Sequence, residues 1–305
     1  MTHRETAPPA APLGSASQSD GGESWRCIYE PPGTAADLLT GSETLLAAVG
    51  ADGSPVLRWY VTPQPALVLG VGQPLDDFDA AACQRAGLPI VRRSSGGTAV
   101  LADDGLLNLD VVLPAAHPLG HRDVVRAYAW LGTALTRALG RLGWAACAIA
   151  PEEARRDTDV LRADERPGTT ALRRTCFGGR SPYEVLVAGR KVVGLCQVRR
   201  RAGTLYQVGI LLGFDAARLA GLLRGAAAER VAGATRLGRR AGGLHTLPRG
   251  QPEPVTRQES TPPGPAMQRM LGGLAPAHRA LAGEVVRGVE YVIVETAVDS
   301  GSRPE

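Results

Sequence analysis

Between residues 183 and 213 the chain runs "YEVLV", "KVVGLCQV" and "LYQVGILLG", with turns at "AGR" and "RRAG". Turns this short join neighbouring strands that run in opposite directions, because a parallel crossover needs a dozen residues or more. The stretch therefore commits the chain to an antiparallel meander. Around it, strand-like and helix-like segments mix without the regular βαβ alternation of a doubly wound sheet. The expected fold is α/β of the α+β type, a mixed and largely antiparallel sheet flanked by helices.

Upstream, "AADLLTGSETLLAAV" (35–49) has apolar residues at helical spacing, and "PVLRWYV" and "ALVLGVG" read as strands parted by "TPQP". Residues 74–87 read as a helix with an acidic first turn and a glycine stop. "LPIVRR" and "GLLNLDVVLP" are strands on either side of an "SSGGT" turn. Asp123 is placed to cap a helix with Val124, Tyr128, Leu131, Leu135 and Leu139 on one face. The polar, arginine-rich stretch 151–175 reads as a long loop, "AARLAGLLRGAAAERV" as a helix and "EYVIVETAV" as a closing strand.

The expected organisation starts with a disordered Pro/Ala/Ser/Gly-rich arm at 1–24 and a main domain at 25–247. A proline-rich linker or loop at 248–265 follows. A C-terminal helix and strand at 266–298 pack on the same domain, and 299–305 form a disordered tail.

Composition removes several classes of function. The 34 basic residues against 30 acidic leave a net charge of only +4, and the "RRR" run at 199–201 has no interleaved aromatics, so no nucleic-acid groove is expected. No apolar run approaches membrane-spanning length. Cysteines stand at 27, 83, 147, 176 and 196 with no CxxC pair or His/Cys cluster, so no metal site is expected. With no signal peptide the expected setting is a reducing cytoplasm. "GVGQPL" lacks the third glycine of a dinucleotide fingerprint, "SSGG" lacks the first glycine of a nucleophile elbow, and there is no P-loop.

One count stands out: 33 of the 34 basic residues are arginine, and the single lysine is Lys191. Lysine is a compact point charge and arginine a wide fork, so a site built for one small ammonium would reject the replacement accepted elsewhere.

Two blocks carry chemistry. In "VRRSSGGTAVLADDGLLNLDVV" (91–112) two arginines end a strand and a flexible turn follows. Gly96 and Gly97 let backbone N–H groups approach a ligand, and turn amides can accept an anion. Arg92 and Arg93 alternate in direction, so one of them faces the ligand. In "CFGGRSPYEVLVAGRKVVGLCQ" (176–197), Cys176 precedes a Gly-Gly turn among Arg173, Arg174 and Arg180. Nearby cations favour the thiolate, the form a nucleophile needs. Cys27, Cys83, Cys147 and Cys196 lie in apolar segments and read as small core residues.

Together "RRSSGGTAV", the "LVLGVGQ" strand before it, and the Cys-Phe, "SPYE" and "GRKVVG" elements resemble the biotin/lipoate protein ligase superfamily. Within it the chain is similar to the cysteine-dependent octanoyltransferases, with lipoate–protein ligase A as the neighbouring branch. The resemblance covers about residues 25–245. It implies that Arg92, Arg93, Ser95, Gly96, Gly97, Thr98, Ala99 and Gly194 bind an acyl group or an acyl-adenylate. It makes Cys176 the acyl-carrying nucleophile and Lys191 an ammonium that contacts the acyl carbonyl or a phosphate. Ala102 and Gln207 stand where relatives carry histidine, and Thr98 where many ligases carry a third loop glycine.

The resemblance implies transfer of an octanoyl or lipoyl group through a Cys176 thioester to a lysine. The donor would be an acyl carrier protein, and the acceptor a lipoyl-domain protein of the 2-oxoacid dehydrogenase E2 or glycine cleavage H type. That reaction needs no cofactor. The alternatives are an ATP- and Mg2+-dependent lipoate–protein ligase and a non-catalytic acyl-binding paralogue.

Overall fold

The computed structural model describes residues 16–17, 24–253 and 263–301. The rest of the expected arm and tail, and 254–262 of the expected linker, lie outside the described residues. The main sheet is built from β1 (Ala16–Ser17), β2 (Arg26–Tyr29), β3 (Val56–Val61), β7 (Leu106–Pro114), β11 (Gly203–Leu211), β10 (Arg190–Arg200), β9 (Val185–Val187) and β8 (Ala146–Ala148), adjacent in that order. Only β2 and β3 pair in parallel. A second sheet places β4 (Ala66–Leu69) between β5 (Ile90–Arg92), parallel to it, and β6 (Val100–Ala102), antiparallel. The fold is thus a mixed, largely antiparallel α/β structure, as the meander requires.

The β9–β10 hairpin turns through Ala188 at φ 49° and Gly189 at φ 72°, the left-handed pair that matches strand twist. One irregularity matters for the site. Lys191 pairs with Leu186 and Val193 with Val185, so Val192 is an extra residue in β10. Val192 and Val193 both enter the core under the helices, and the bulge returns Lys191 to the face that carries Gly194 and Cys196.

One face of the main sheet is covered by α3 (Ala129–Arg141), α8 (Pro265–Leu271) and α9 (Pro276–Gly301), which share a core running from Trp25 to Ala297. The other face holds α1 (Ala35–Asp52). Thr34 caps α1, its hydroxyl accepting from Asp37 N at 3.2 Å, and Gly53 ends it at φ 70°. Beneath α1 lies a charged anchor: Arg58 of β3 donates to Glu30 (2.7 Å), Asp110 (2.9 Å) and the carbonyl of Leu38 (3.0 Å). The small sheet packs against α2 (Ala80–Arg85), α5 (Thr169–Arg174), α6 (Ala216–Gly221) and α7 (Ala227–Arg240).

The structure corrects several expectations. The helix expected over 74–87 is a 3-10 turn at Leu75–Asp77 and then α2, because Phe78 is extended and Asp79 caps a new start, and residues 299–301 of the expected tail belong to α9. The stretch 151–175 is not a loop: it forms α4 (Pro151–Ala163) and α5. Arginines stand in for the missing apolar stripe. Arg173 donates to the carbonyls of Leu161, Arg162 and Asp164 at the end of α4, and Arg240 grips Asp157 at 2.5–2.6 Å. The closing "strand" is part of α9, where Ala282, Val285, Val286, Val289, Val292, Ile293 and Ala297 are buried at helical intervals. A continuous stripe outweighs the strand preference of its β-branched residues.

The helix expected over 216–231 is broken into α6 and α7 around Gly225, at φ 140°. Val124 is 57% exposed because the regular helix starts only at Ala129, although Asp123 does accept from Val125 N and Arg126 N. Within the expected arm, Ala16 and Ser17 pair with β2. Among the described residues, no helix is long and apolar enough to cross a membrane.

Candidate active site

The turn from Arg93 to Thr98 joins β5 to β6 and lies against Gly70, where a Cβ would stand 1.9 Å from Gly97 O. Gly97 itself has φ 92°, so both glycines are demanded by backbone. The two arginines separate as alternation predicts. Arg92 is exposed and braces the adjacent loop through the carbonyls of Gly70 (2.7 Å), Val71 (3.1 Å) and Gln73 (2.7 Å). Arg93 is 7% exposed and holds Gly96 O and Thr98 O, each at 2.9 Å. Its Nε has no partner and no carboxylate pairs with it among the described residues.

Ala99 ties the turn to the nucleophile loop: its carbonyl accepts from Cys176 N at 2.8 Å, and its N–H donates to Arg174 O at 3.3 Å. Ser95 is buried and faces the meander, donating to Gln207 Oε1 at 2.6 Å. Cys196 lies 3.3 Å from the Ser95 hydroxyl, and burial pushes its thiol up.

Cys176 stands between two spaces. On one side is an apolar slot of about 70 Å³ walled by Leu38 and Leu39 of α1, Val68, Val100, Ala102, Leu106, Phe177 and Val208. On the other is an open cleft of about 540 Å³ walled by Gly96, Gly97, Thr98, Arg162, Arg173, Arg180 and Lys191. Arg93, Cys176, Leu195 and Cys196 line both. Gly194 lies directly beneath the thiol, where a Cβ would be 3.3 Å from Cys176 Sγ. Any side chain there would crowd the sulfur.

The structure refines two sequence expectations about the cysteines. The arginines flanking Cys176 in sequence are committed elsewhere: Arg173 to the end of α4, Arg174 to Asp77 at 3.1 Å, and Arg180 to Glu153 at 3.4 Å and Gly189 O at 2.8 Å. Arg173 and Arg180 wall the cleft that Cys176 lines, but neither is a free cation. Nor are the other cysteines all core residues: Cys147 is exposed, and Cys196 faces the site.

Lys191 is 1% exposed, and its ammonium donates to Cys176 O (2.7 Å), Gly179 O (3.1 Å) and Glu184 Oε2 (2.7 Å). It sits 5.3 Å from the centre of the Phe177 ring. All three N–H groups are engaged by the chain, so a substrate oxygen would have to displace one of them. Glu184 is the functional-looking residue that motif reading left without a role. Burial raises its pKa, and Lys191 with the amides of Ser181 and Leu195 works against that rise. Its place in "SPYE" was visible in the sequence; its partner was not.

A model of the lipoyl protein ligase A/B catalytic domain matches residues 35–259. The octanoyltransferase LipM of Carboxydothermus hydrogenoformans is 33% identical over 204 residues, 66% of this chain and 70% of that protein. LipM of Kyrpidia tusciae is 32% identical over 206 residues, 66% and 71% of the two chains. Among solved structures, one from a structural study of a bipartite lipoate protein ligase and its E2 lipoyl domain from Thermoplasma acidophilum has a TM-score of 0.56 at 18% identity, covering 93% of this chain and 98% of that one. A lipoate-protein ligase A bound with ATP has a TM-score of 0.54 at 18% identity, covering 86% and 92%. These two solved structures share the fold with this chain, and the sequence match extends from α1 to beyond α7. The chain belongs to the lipoyl protein ligase A/B catalytic domain family of lipoate-protein ligase and transferase enzymes.

Proposed function

We propose that this chain is an acyltransferase of protein lipoylation that moves an octanoyl or lipoyl group through a thioester on Cys176. The observation that carries the reading is the position of Cys176, the sulfur-bearing side chain common to the apolar slot and the basic cleft along with Cys196, and the one seated over Gly194. On this reading the apolar end of the acyl chain enters the slot, and the carrier that brings it or the acceptor that receives it approaches through the cleft.

In the first half-reaction the Cys176 thiolate attacks the thioester carbonyl of an acyl carrier protein. A new S–C bond forms, and the carrier thiolate leaves and takes up a proton. In the second, the neutral amine of a lysine on a lipoyl-domain protein attacks the Cys176 thioester. The amide forms, the amine loses a proton, and Cys176 departs as thiolate. Dividing one hard transfer into two easier steps is the gain of covalent catalysis. The LipM relatives support this reading by name, and the E2 lipoyl domain named as belonging to the Thermoplasma ligase supports the acceptor class. The cleft is basic: its one carboxylate, Glu184, is taken by Lys191, and Arg162 has no ion pair among the described residues. That charge suits acidic partner surfaces.

A second reading, an ATP-dependent lipoate–protein ligase, has one observation in its favour. Arg93 is a buried cation without a carboxylate, on the wall of a cleft large enough for a nucleotide, and so fits a phosphate. Mg2+ fits less well, since the cleft offers no free carboxylate among the described residues.

Incubating the protein with octanoyl carrier protein, without ATP, and weighing it intact separates the readings. An octanoyl adduct is the expected result. Loading that requires ATP, with release of an adenylate, would replace the transferase with the ligase. Neither product would leave an acyl-binding paralogue.

A further inference from the structure

We propose that Glu184 is a positioning residue for Cys176: with Lys191 it forms a buried clamp that holds the 176–179 loop and so sets where the thiol stands. The inference rests on the Cys176 thioester reading and adds the device that aims the nucleophile.

The clamp is closed on itself. Glu184, 2% exposed, accepts from Lys191 Nζ at 2.7 Å, Ser181 N at 2.7 Å and Leu195 N at 3.2 Å. Lys191 passes that fixed position on through the carbonyls of Cys176 and Gly179. The N–H of Cys176 is meanwhile held by Ala99 O at 2.8 Å. Both peptide groups of the nucleophile are therefore pinned, and its side chain retains only rotation about the Cα–Cβ bond, above a glycine.

Three further features make sense together on this reading. Burying two charges costs several kcal/mol per ion before their attraction is counted, and a buried pair is weak evidence of a gain in stability. A neutral side chain could have held two loop carbonyls without that penalty. The extra residue Val192 turns Lys191 to the face of the site. Tyr183, immediately before Glu184, is held at φ 65°, a conformation that non-glycine residues rarely adopt, with its carbonyl pressed against Gly132. Backbone irregularity in the turn before β9 and within β10 thus converges on one carboxylate–ammonium contact beside the sulfur.

The test separates aiming from mere support of the fold. Cys176 alkylation by 2-iodo-N-octylacetamide, whose chain enters the slot, is compared with alkylation by iodoacetamide, which needs no slot; both are read at Cys176 by peptide mass. The wild type should prefer the octyl reagent. In the double variant Glu184→Leu/Lys191→Met, which removes both charges together, the protein should unfold within a few degrees of wild type. Its octyl preference should fall by about tenfold or more, while its iodoacetamide rate stays within about threefold. If that variant does not fold, Glu184→Gln, which keeps the side-chain shape, should lower the preference by about three- to tenfold with the fold intact.

A preference retained within twofold in whichever variant folds overturns the clamp, as does its absence in the wild type. Failure of the wild type to accept octanoyl from carrier protein, with the octyl preference and its loss both present, counts against the transferase reading alone.

Discussion

Among the described residues, two ion pairs have both side chains 2% exposed or less: Arg58–Asp110 under α1 and Lys191–Glu184 beside Cys176. They sit on the same sheet and use their cations differently. Arg58 spreads its fork over Asp110, Glu30, Ser42 and the Leu38 carbonyl, stitching β2, β3 and β7 to α1. Lys191 gathers one carboxylate oxygen and two loop carbonyls around a single nitrogen. A guanidinium spans elements; an ammonium is the centre of a small polyhedron. This explains why a chain so biased towards arginine keeps one lysine. At Arg58 the width of the fork is what the site uses, and at Lys191 it would not fit.

The sharpest way to break the comparison is to remove what the lysine pair is said to serve. Cys176→Ala should abolish octanoyl loading entirely, while serine replacements at Cys27, Cys83, Cys147 and Cys196 should each leave an adduct detectable by intact mass. Loading that survives in Cys176→Ala ends the thioester mechanism. Next in size, Arg58→Met leaves Asp110 buried and unpaired and should cost about 3–5 kcal/mol in denaturant unfolding. The transfer rate per folded molecule should stay within about threefold, since Arg58 itself lines neither the slot nor the cleft and meets the slot only from behind, at the Leu38 carbonyl and the Tyr60 ring. A large rate loss with normal stability would make the arginine pair part of the machinery and erase the distinction.

Lys191→Arg should do the reverse. The protein stays folded, and transfer falls by about a hundredfold, the scale on which a 1 Å misplacement acts. Near wild-type transfer would mean the ammonium is interchangeable after all.

A half-buried carboxyl sharpens the contrast on a smaller scale. Glu290 of α9 holds the Tyr29 hydroxyl at 2.9 Å, and burial pushes its pKa up to about 7 from 4.5, with Arg287 easing the shift least. Its protonated form stabilises the fold below pH 4.5, and that contribution is lost as pH rises through about 7. Between pH 5 and 7 the wild type should lose about 2 kcal/mol that Glu290→Gln does not lose, measured as the difference of two unfolding series. Equal slopes would show that Glu290 is already ionised at pH 5.

What could be read from the sequence had local causes. The meander followed from turns too short for any other connection, the glycine turn from a backbone need at Gly97, and the choice between Arg92 and Arg93 from strand alternation. The rest depended on partners distant in the chain. α4 has too few apolar residues to announce itself, and its order comes from Arg173 and Arg240 arriving from other segments. "EYVIVETAV" carries strand-like residues on a helical stripe, and α3 decides the matter by covering that stripe. In the site, strict alternation would put Lys191 on the face opposite Gly194 and Cys196. Only the extra residue Val192 reverses this, and no motif marks it. Arg173, Arg174 and Arg180 cluster around Cys176 in sequence, and only the folded chain shows the distant partner that each of them holds.

The bridge between Ala99 and the nucleophile loop has a mechanical consequence. The glycine turn and the thiol belong to different segments, yet the Cys176 N–H to Ala99 O and Ala99 N–H to Arg174 O bonds lash them side by side. Whatever tugs on the turn tugs on the sulfur. A phosphate or acyl head drawn against Gly96 and Gly97 would therefore strain the reacting centre before any bond is made or broken. If the turn grips the cargo and Cys176 is the nucleophile, one lever serves both.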